Sequence, residues 1–120
     1  MDKPQIDLTG SKILAVDDVL ANLDVLSQSL EADGYNVLVA TSGETALDLV
    51  TRIEPDLILL DVMMPGIDGF ETCRRLKTNV NTQDIPVIFL TARSELDGVL
   101  EGFQAGGIDY ISKPFQKEEV

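Results

Sequence analysis

The chain has 120 residues, of which 44% are hydrophobic, and this suits one folded domain with one core. Twenty-one acidic residues against nine basic ones give a net charge of −12, which argues against direct binding to nucleic acid, because such binding depends on cations that neutralise phosphates. With no histidine and a single cysteine, Cys73, the chain cannot form a Ser-His-Asp triad, a histidine-ligated zinc site or an internal disulfide.

The first predicted unit is a strand followed by a helix. KILAV, residues 12–16, is a short apolar run that ends at Asp17 and Asp18. Leucines then recur at helical spacing, and Gly34 is a favourable stop for that helix. The predicted apolar face consists of Leu23, Leu26 and Leu30.

Two further strands follow. NVLVA, residues 36–40, precedes a helix that Thr41 or Ser42 can cap. LILL, residues 57–60, is the third strand and stops at Asp61. Because a carboxylate is unfavourable to bury, one placed at the edge of an apolar core indicates a function. The helix between these two strands has an apolar face formed by Ala46, Leu47, Val50 and Ile53.

A capping box predicts the start of the third helix. Asp68 and Glu71 have the required spacing, with aspartate in place of the usual serine or threonine. The apolar face of this helix carries Phe70, Cys73 and Leu76, and we assign the cysteine to packing.

The last part of the chain repeats the alternation of strand and helix. PVIFL, residues 86–90, is the fourth strand and is followed by Thr91, and Ser94 can cap a fourth helix. IDYIS, residues 108–112, is the fifth strand and is followed by Lys113. A fifth helix then begins and is left unfinished where the sequence stops.

This alternation predicts an α/β fold with a doubly wound, five-stranded parallel sheet and helices on both faces. Strands buried on both faces read as continuous apolar runs, and residues 57–60 and 86–90 are such runs. Right-handed crossovers restrict the topology, and the flavodoxin-like strand order 2-1-3-4-5 is the leading choice.

Ligands of open parallel sheets bind beyond the carboxyl ends of the strands, at the point where the strand order reverses. In the predicted order Asp17, Asp18 and Asp61 converge there, with Thr91 and Lys113 at the neighbouring strand ends. Crowded carboxylates favour a cation, and an oxygen-only donor set favours Mg²⁺, which commonly bridges to a phosphate. Asp61 is the candidate nucleophile for an aspartyl phosphate.

These motifs together resemble the receiver domain of two-component response regulators. The resemblance covers residues 11 to 117 and rests on the acidic pair after the first strand, the Asp61-x-x-x-Pro-Gly-x-x-Gly turn, Thr91-Ala92 and Lys113-Pro114-Phe115. The order and spacing of these motifs are far more specific than any one of them alone.

The resemblance implies a role for each site residue. Asp61 accepts the phosphoryl group, and Lys113 contacts Asp61 before transfer and the phosphoryl group afterwards. Thr91 bonds a phosphoryl oxygen, and Tyr110 is the switch aromatic that follows its movement. The implied magnesium ligands are Asp18, Asp61, the backbone carbonyl of Met63 and, through water, Asp17.

The resemblance also implies a mechanism and partners. A phosphohistidine on a histidine kinase or a histidine phosphotransfer protein supplies the phosphoryl group, and the face formed by the fourth helix and fifth strand then changes to control a partner or an output domain. The positions that tune self-dephosphorylation hold Met63 and Arg93, and because methionine cannot orient a water molecule we predict slow to intermediate loss of the phosphate.

Three alternatives remain open from sequence. An aspartate-nucleophile phosphatase of the haloacid dehalogenase type needs a second acid two residues after the nucleophile, where this chain has Met63. A flavodoxin needs a phosphate loop rich in Ser, Thr and Gly after the first strand, where DDVLAN stands. A degenerate receiver would act only as an interaction module, and the intact set of site residues argues against it.

The sequence also gives expectations about organisation and location. Residues 1–10 are interpreted as a leader and residues 11–120 as the receiver domain, and the unfinished fifth helix suggests a fragment of a longer protein. The start of the chain lacks the apolar region of a signal peptide, and no apolar run approaches the ~18 residues of a membrane helix. We therefore expect a cytoplasmic protein without membrane contact.

Overall fold

The computed structural model describes residues 10–92 and 109–113, with side chains over residues 10–90. The leader, the predicted fourth helix and the predicted fifth helix lie outside this part of the chain.

The described strands form one parallel sheet in the order β2-β1-β3-β4-β5. This is the predicted flavodoxin-like order, with β1 and β3 as neighbours at its centre. The last three strands end one or two residues later than predicted. Asp61, Thr91 and Lys113 therefore belong to the strands and do not follow them. The strands are β1 (Lys12–Val16), β2 (Asn36–Ala40), β3 (Leu57–Asp61), β4 (Val87–Ala92) and β5 (Asp109–Lys113).

Three helices connect the first four strands, and their ends follow local sequence signals. Ser42 caps the second helix by accepting a hydrogen bond from the Thr45 backbone N–H, and Asp68 caps the third by accepting one from Glu71 at 2.8 Å. Gly34 follows the first helix with a φ of 97°, a left-handed conformation that glycine adopts without strain. The helices are α1 (Leu20–Ala32), α2 (Gly43–Ile53) and α3 (Gly69–Lys77).

The core has two parts, one on each face of the sheet. β1 shows the division, because Leu14 and Val16 pack with α2 and α3 whereas Ile13 and Ala15 pack with α1. The predicted apolar faces of all three helices are confirmed. Their core residues are buried or partly buried, namely Leu23, Leu26 and Leu30 of α1, Ala46, Leu47, Val50 and Ile53 of α2, and Phe70, Cys73 and Leu76 of α3.

None of the helices in residues 10–92 and 109–113 combines the length and the apolar character needed to cross a membrane.

Candidate functional site

Three carboxylates meet at the carboxyl ends of β1 and β3. Asp17, Asp18 and Asp61 each place a carboxylate oxygen within 4.8 Å of the others. Asp17 and Asp61 are 0% and 1% exposed, whereas Asp18 is exposed to solvent. The predicted convergence of these three acids is therefore confirmed, and it follows from the pairing of β1 with β3.

Asp17 is held by the beginning of α1. Its Oδ1 accepts a hydrogen bond from the Val19 backbone N–H at 2.9 Å, and its Oδ2 accepts one from the Asn22 side-chain amide at 3.0 Å. Its own backbone N–H donates to the Ala40 carbonyl of β2 at 3.1 Å. The two bonds to Oδ1 and Oδ2 stabilise a buried carboxylate, which would otherwise lose its hydration without compensation.

Asp61 is the last residue of β3, and the chain turns back against it. The Val62 backbone N–H donates to Leu90 of β4 at 3.1 Å, and the Gly69 N–H donates to the Val62 carbonyl at 2.9 Å. A Cβ atom on Gly69 would overlap the backbone carbonyl oxygen of Asp61. The loop therefore requires glycine at 69 because α3 begins in direct contact with the end of β3.

Glu44, in the first turn of α2, braces the loop between β3 and α3. Its Oε2 accepts a long hydrogen bond of 3.4 Å from the Ile67 backbone N–H, and its carboxylate lies against Gly66. Gly66 has a φ of 76°, so the turn after Pro65 uses the left-handed conformation. No local pattern predicts this contact, because Glu44 and Ile67 are 23 residues apart in the chain.

Exposed apolar side chains lie on the segments that directly follow the acids, namely the start of α1 and the loop after β3. Leu20 is 65% exposed, Met63 is 62% exposed and Val19 is 46% exposed. The pairing of β1 with β3 brings these segments to the same edge of the sheet. The acidic cluster therefore lies beside apolar surface that the described residues leave open to solvent.

The backbone register places two further predicted residues at this edge. Asp61 of β3 pairs with Leu90 of β4, so Thr91 is one residue beyond that pair, and Ala92 pairs with Lys113 at the end of β5. The side chains of Thr91, Tyr110 and Lys113 lie outside the described residues, as does Arg93. Their predicted contacts, and that of the Met63 carbonyl, remain predictions.

The donor set fits a hard divalent cation. The cluster offers carboxylate oxygens from three residues, which repel one another unless a cation or a proton intervenes. Oxygen ligands without imidazole or thiolate are the set that Mg²⁺ and Ca²⁺ take, and Mg²⁺ is the ion that commonly binds through one or two carboxylates together with a phosphate.

Comparisons with known proteins agree with this arrangement. The sequence profile of the response regulator receiver domain matches residues 13–120. The chain is 43% identical over 109 residues to the DNA-binding dual master transcriptional regulator RpaA of Synechocystis sp. (strain ATCC 27184 / PCC 6803 / Kazusa), an alignment that covers 91% of this chain and 45% of RpaA.

Solved structures show the same fold. The N-terminal domain of a response regulator receiver protein from Methanoculleus marisnigri JR1 is 42% identical with a TM-score of 0.76, covering 87% of this chain and 85% of that one. The receiver domain of sensor histidine kinase PA1611 from Pseudomonas aeruginosa PAO1, which has a magnesium ion coordinated in its active site cleft, is 33% identical with a TM-score of 0.81, covering 90% and 88%.

The chain spans between 23% and 49% of the length of curated relatives that it matches. The match therefore concerns one domain of those proteins and not their whole length. Since the family profile covers almost all of its sequence, the chain belongs to the response regulator receiver domain family.

Proposed function

We propose that Asp61 accepts a phosphoryl group from a phosphohistidine and that this transfer switches the domain between two signalling states. The observation that carries the proposal is the meeting of Asp17, Asp18 and Asp61 at the carboxyl ends of β1 and β3. Family membership supports it, because a receiver domain is the phosphoacceptor part of a two-component system.

The transfer is a single in-line displacement. A carboxylate oxygen of Asp61 attacks phosphorus, an O–P bond forms, and the P–N bond to the donor imidazole breaks with its electron pair leaving on nitrogen. Burial of Asp61 at the strand end fixes the direction from which the donor can approach.

The acids are assigned to a magnesium site. Asp18 and Asp61 would ligate the ion with the Met63 carbonyl, and Asp17 would act through a water molecule. Bound there, magnesium would supply positive charge against the phosphoryl oxygens. The exposed position of Asp18 leaves it able to turn towards the ion, whereas Asp17 is already held by α1.

Lys113 and Thr91 are assigned to the phosphoryl group itself. The ammonium of Lys113 would pair with its negative charge, and the hydroxyl of Thr91 would donate a hydrogen bond to one of its oxygens. Movement of Thr91 would then let Tyr110 turn inward and change the face formed by the fourth helix and β5. This is a local change of charge that biases a two-state element.

Mass spectrometry after incubation with acetyl phosphate and Mg²⁺ tests the proposal. We expect a mass increase of one phosphoryl group that is lost with Asp61→Ala and with a chelator. Asp56→Asn is the matched control, because Asp56 lies just before the opposite end of the same strand. Phosphorylation that persists in Asp61→Ala, or that is unchanged when the chelator is added, would contradict the proposal.

The apolar side chains beside the acids are assigned to docking of the phosphodonor protein. Leu20→Ala should slow transfer from a phosphorylated histidine phosphotransfer protein and leave transfer from acetyl phosphate unchanged, because the small donor needs no docking surface. Val80→Ala is the control, since Val80 is 75% exposed but lies in the turn after α3. Equal slowing with both donors would assign Leu20 to the site itself.

Self-dephosphorylation is assigned to attack of water on the acyl phosphate. We expect the rate of this hydrolysis to be slow to intermediate, because Met63 offers no polar group to orient water. The measurement is the lifetime of phosphorylated Asp61 in wild type, Met63→Ala, Met63→Asn and Met63→Glu. A lifetime that shortens in the alanine variant but not in the two polar variants would contradict this role.

The other candidate activities are less well supported. A phosphatase would need an acid where Met63 stands, and incubation with phosphomonoesters should give no steady turnover. A degenerate receiver would lack part of the acidic cluster, which is complete here. Stable phosphorylation without turnover distinguishes the receiver from both.

We propose that residues 11–120 form a cytoplasmic receiver domain. Its phosphoryl donor is a histidine kinase or a histidine phosphotransfer protein. The output attached to it differs among relatives, since RpaA is a DNA-binding regulator and PA1611 is a sensor histidine kinase. Co-purification with a phosphorylated kinase domain, and its dependence on Asp61, tests the partnership.

A further inference from the structure

The first turn of α1 contains an asparagine that faces the acidic cluster. Asn22 is half-buried, and its side-chain Nδ2 donates to Asp17 Oδ2 at 3.0 Å. The Val19 backbone N–H donates to the other oxygen, Oδ1, at 2.9 Å. Both oxygens of the more deeply buried acid of the pair are thus engaged by the start of one helix.

We propose that Asn22 is a positioning residue for the magnesium site, acting through Asp17 by fixing the carboxylate in the orientation from which it binds metal-coordinated water. This inference rests on the proposed function, because it assumes that the acidic cluster binds the ion. It adds a residue that neither ligates the ion nor belongs to the motifs of the sequence analysis.

The two donors on Asp17 support a positioning role for Asn22. An ionised carboxylate offers about four lone-pair positions, and donors from Val19 and Asn22 occupy two of them. The two donors restrict rotation of the Asp17 carboxylate and so fix the orientation that it presents to the cluster.

Charge also favours a donor at this position. Asp17 lies within 4.8 Å of two other carboxylates, so each ionised group raises the energy of the others. The Asn22 amide supplies a neutral donor to the Asp17 carboxylate, so it adds no cation that would compete with Mg²⁺. An asparagine therefore suits this place better than lysine or arginine.

Helix formation alone does not explain the residue. Asparagine is less favourable than alanine inside a helix, so Asn22→Ala should leave α1 at least as stable from propensity alone. A purely structural role of the hydrogen bond would appear in the free energy of unfolding. A positioning role appears in magnesium affinity, which is a separate measurement.

The test is isothermal titration with Mg²⁺ on the full chain, using wild type, Asn22→Ala, Asp17→Asn and the double variant. We expect Asn22→Ala to weaken Mg²⁺ binding about 10-fold, the low end of the effect of outer-shell partners on metal affinity. We expect the double variant to bind as Asp17→Asn does, because Asn22 acts only through that carboxylate. Gln28→Ala, at an exposed amide on the same helix, should bind as wild type does.

Each outcome decides between the two proposals. If wild type does not bind Mg²⁺, the proposed function and this inference both fail. If wild type binds Mg²⁺ and Asn22→Ala binds it equally well, only the positioning role is overturned. The same holds if Asn22→Ala weakens Mg²⁺ binding by the same factor in the Asp17→Asn background as in wild type. Thermal unfolding in chelator for every variant separates loss of affinity from loss of fold.

Discussion

Two aspartates mark the two ends of β3, and they lie in opposite environments. Asp56 precedes the strand and is exposed, and its Oδ2 accepts a hydrogen bond from the Lys12 backbone N–H at 2.8 Å. Its own N–H donates to the Lys12 carbonyl at 2.8 Å, which extends the pairing of β1 with β3 by one residue. Asp61 ends the strand, is buried, and lies among two other carboxylates.

The difference shows how one residue type can support backbone pairing at one edge of a sheet and join a buried acidic cluster at the other. At the amino edge of the sheet, where the strands begin, Asp56 stays exposed to water and extends the backbone pairing of β1 with β3. Nearby, Lys12 Nζ donates a hydrogen bond to the Ile53 carbonyl at the end of α2. At the carboxyl edge the strand order reverses, so loops diverge and leave a crevice in which acids from β1 and β3 meet. Asp56 and Asp61 therefore differ in burial and in the number of nearby carboxylates, although their side chains are the same.

Magnesium should separate the two ends of β3 most strongly. At a concentration 100 times its dissociation constant, Mg²⁺ should raise the free energy of unfolding of wild type by about 2.7 kcal/mol, because it binds the folded chain alone. Asp61→Asn should lose this stabilisation and Asp56→Asn should keep it, as measured by chemical denaturation with Mg²⁺ or chelator. Equal stabilisation of both variants would remove the proposed distinction between the two edges.

Gly69→Ala should disturb the carboxyl edge selectively. The added methyl group overlaps the Asp61 carbonyl oxygen, so β3 or α3 must shift, and we expect a loss of about 1–3 kcal/mol in the free energy of unfolding. Phosphorylation by acetyl phosphate should fall as well, since the displaced backbone carries Asp61. Gly10→Ala separates backbone strain from overlap, because a Cβ there meets no neighbour but the φ of 89° is unfavourable for alanine. It should lower stability and leave phosphorylation unchanged. Unchanged stability in Gly69→Ala would contradict the close packing.

Asp56→Ala should affect the amino edge alone. Removal of the bond to the Lys12 N–H should lower the free energy of unfolding by about 1 kcal/mol, the usual net value of such a hydrogen bond. Mg²⁺ affinity and phosphorylation should stay as in wild type. A drop in Mg²⁺ affinity measured by titration calorimetry would mean that the two ends of β3 are coupled.

The last prediction concerns the reactivity of Cys73, which lies on the buried face of α3. Burial raises the pKa of its thiol, so less thiolate is present at any given pH than in an exposed cysteine. Native chain treated with iodoacetamide at pH 8 should therefore remain almost unmodified while the chain in urea reacts completely, as followed by mass spectrometry. Fast modification of the native chain would show that this part of the core opens readily.

The surface charge of α3 illustrates a detail that local sequence predicts only in part. The capping role of Asp68 was predicted and is confirmed, with its Oδ1 on the Glu71 backbone N–H. The Glu71 carboxylate itself accepts hydrogen bonds from Arg75 at 3.0 Å and Arg74 at 3.3 Å. The Arg75 bond, followed by the Arg74 bond, holds the pKa of Glu71 below its ordinary value.

Backbone conformation at the amino edge was not predictable from residue type. Glu54 caps the C-terminus of α2 with a φ of 49°, a left-handed conformation in which glycine or asparagine is expected. Thr82 is buried in the turn before β4, and its hydroxyl donates to the Leu76 carbonyl at 2.6 Å.

Residue patterns were enough to predict the alternation of strands and helices, the strand order and the place of the acids at strand ends. These features follow from hydrophobic periodicity and from the handedness of connections, which act over short stretches of chain. Folding adds three features that no residue pattern predicts: Asn22 donates to Asp17, Glu44 contacts the loop after β3, and residue 69 must lack a side chain. Such contacts depend on distances of a few ångströms between side chains and backbone, which packing fixes and residue patterns do not encode.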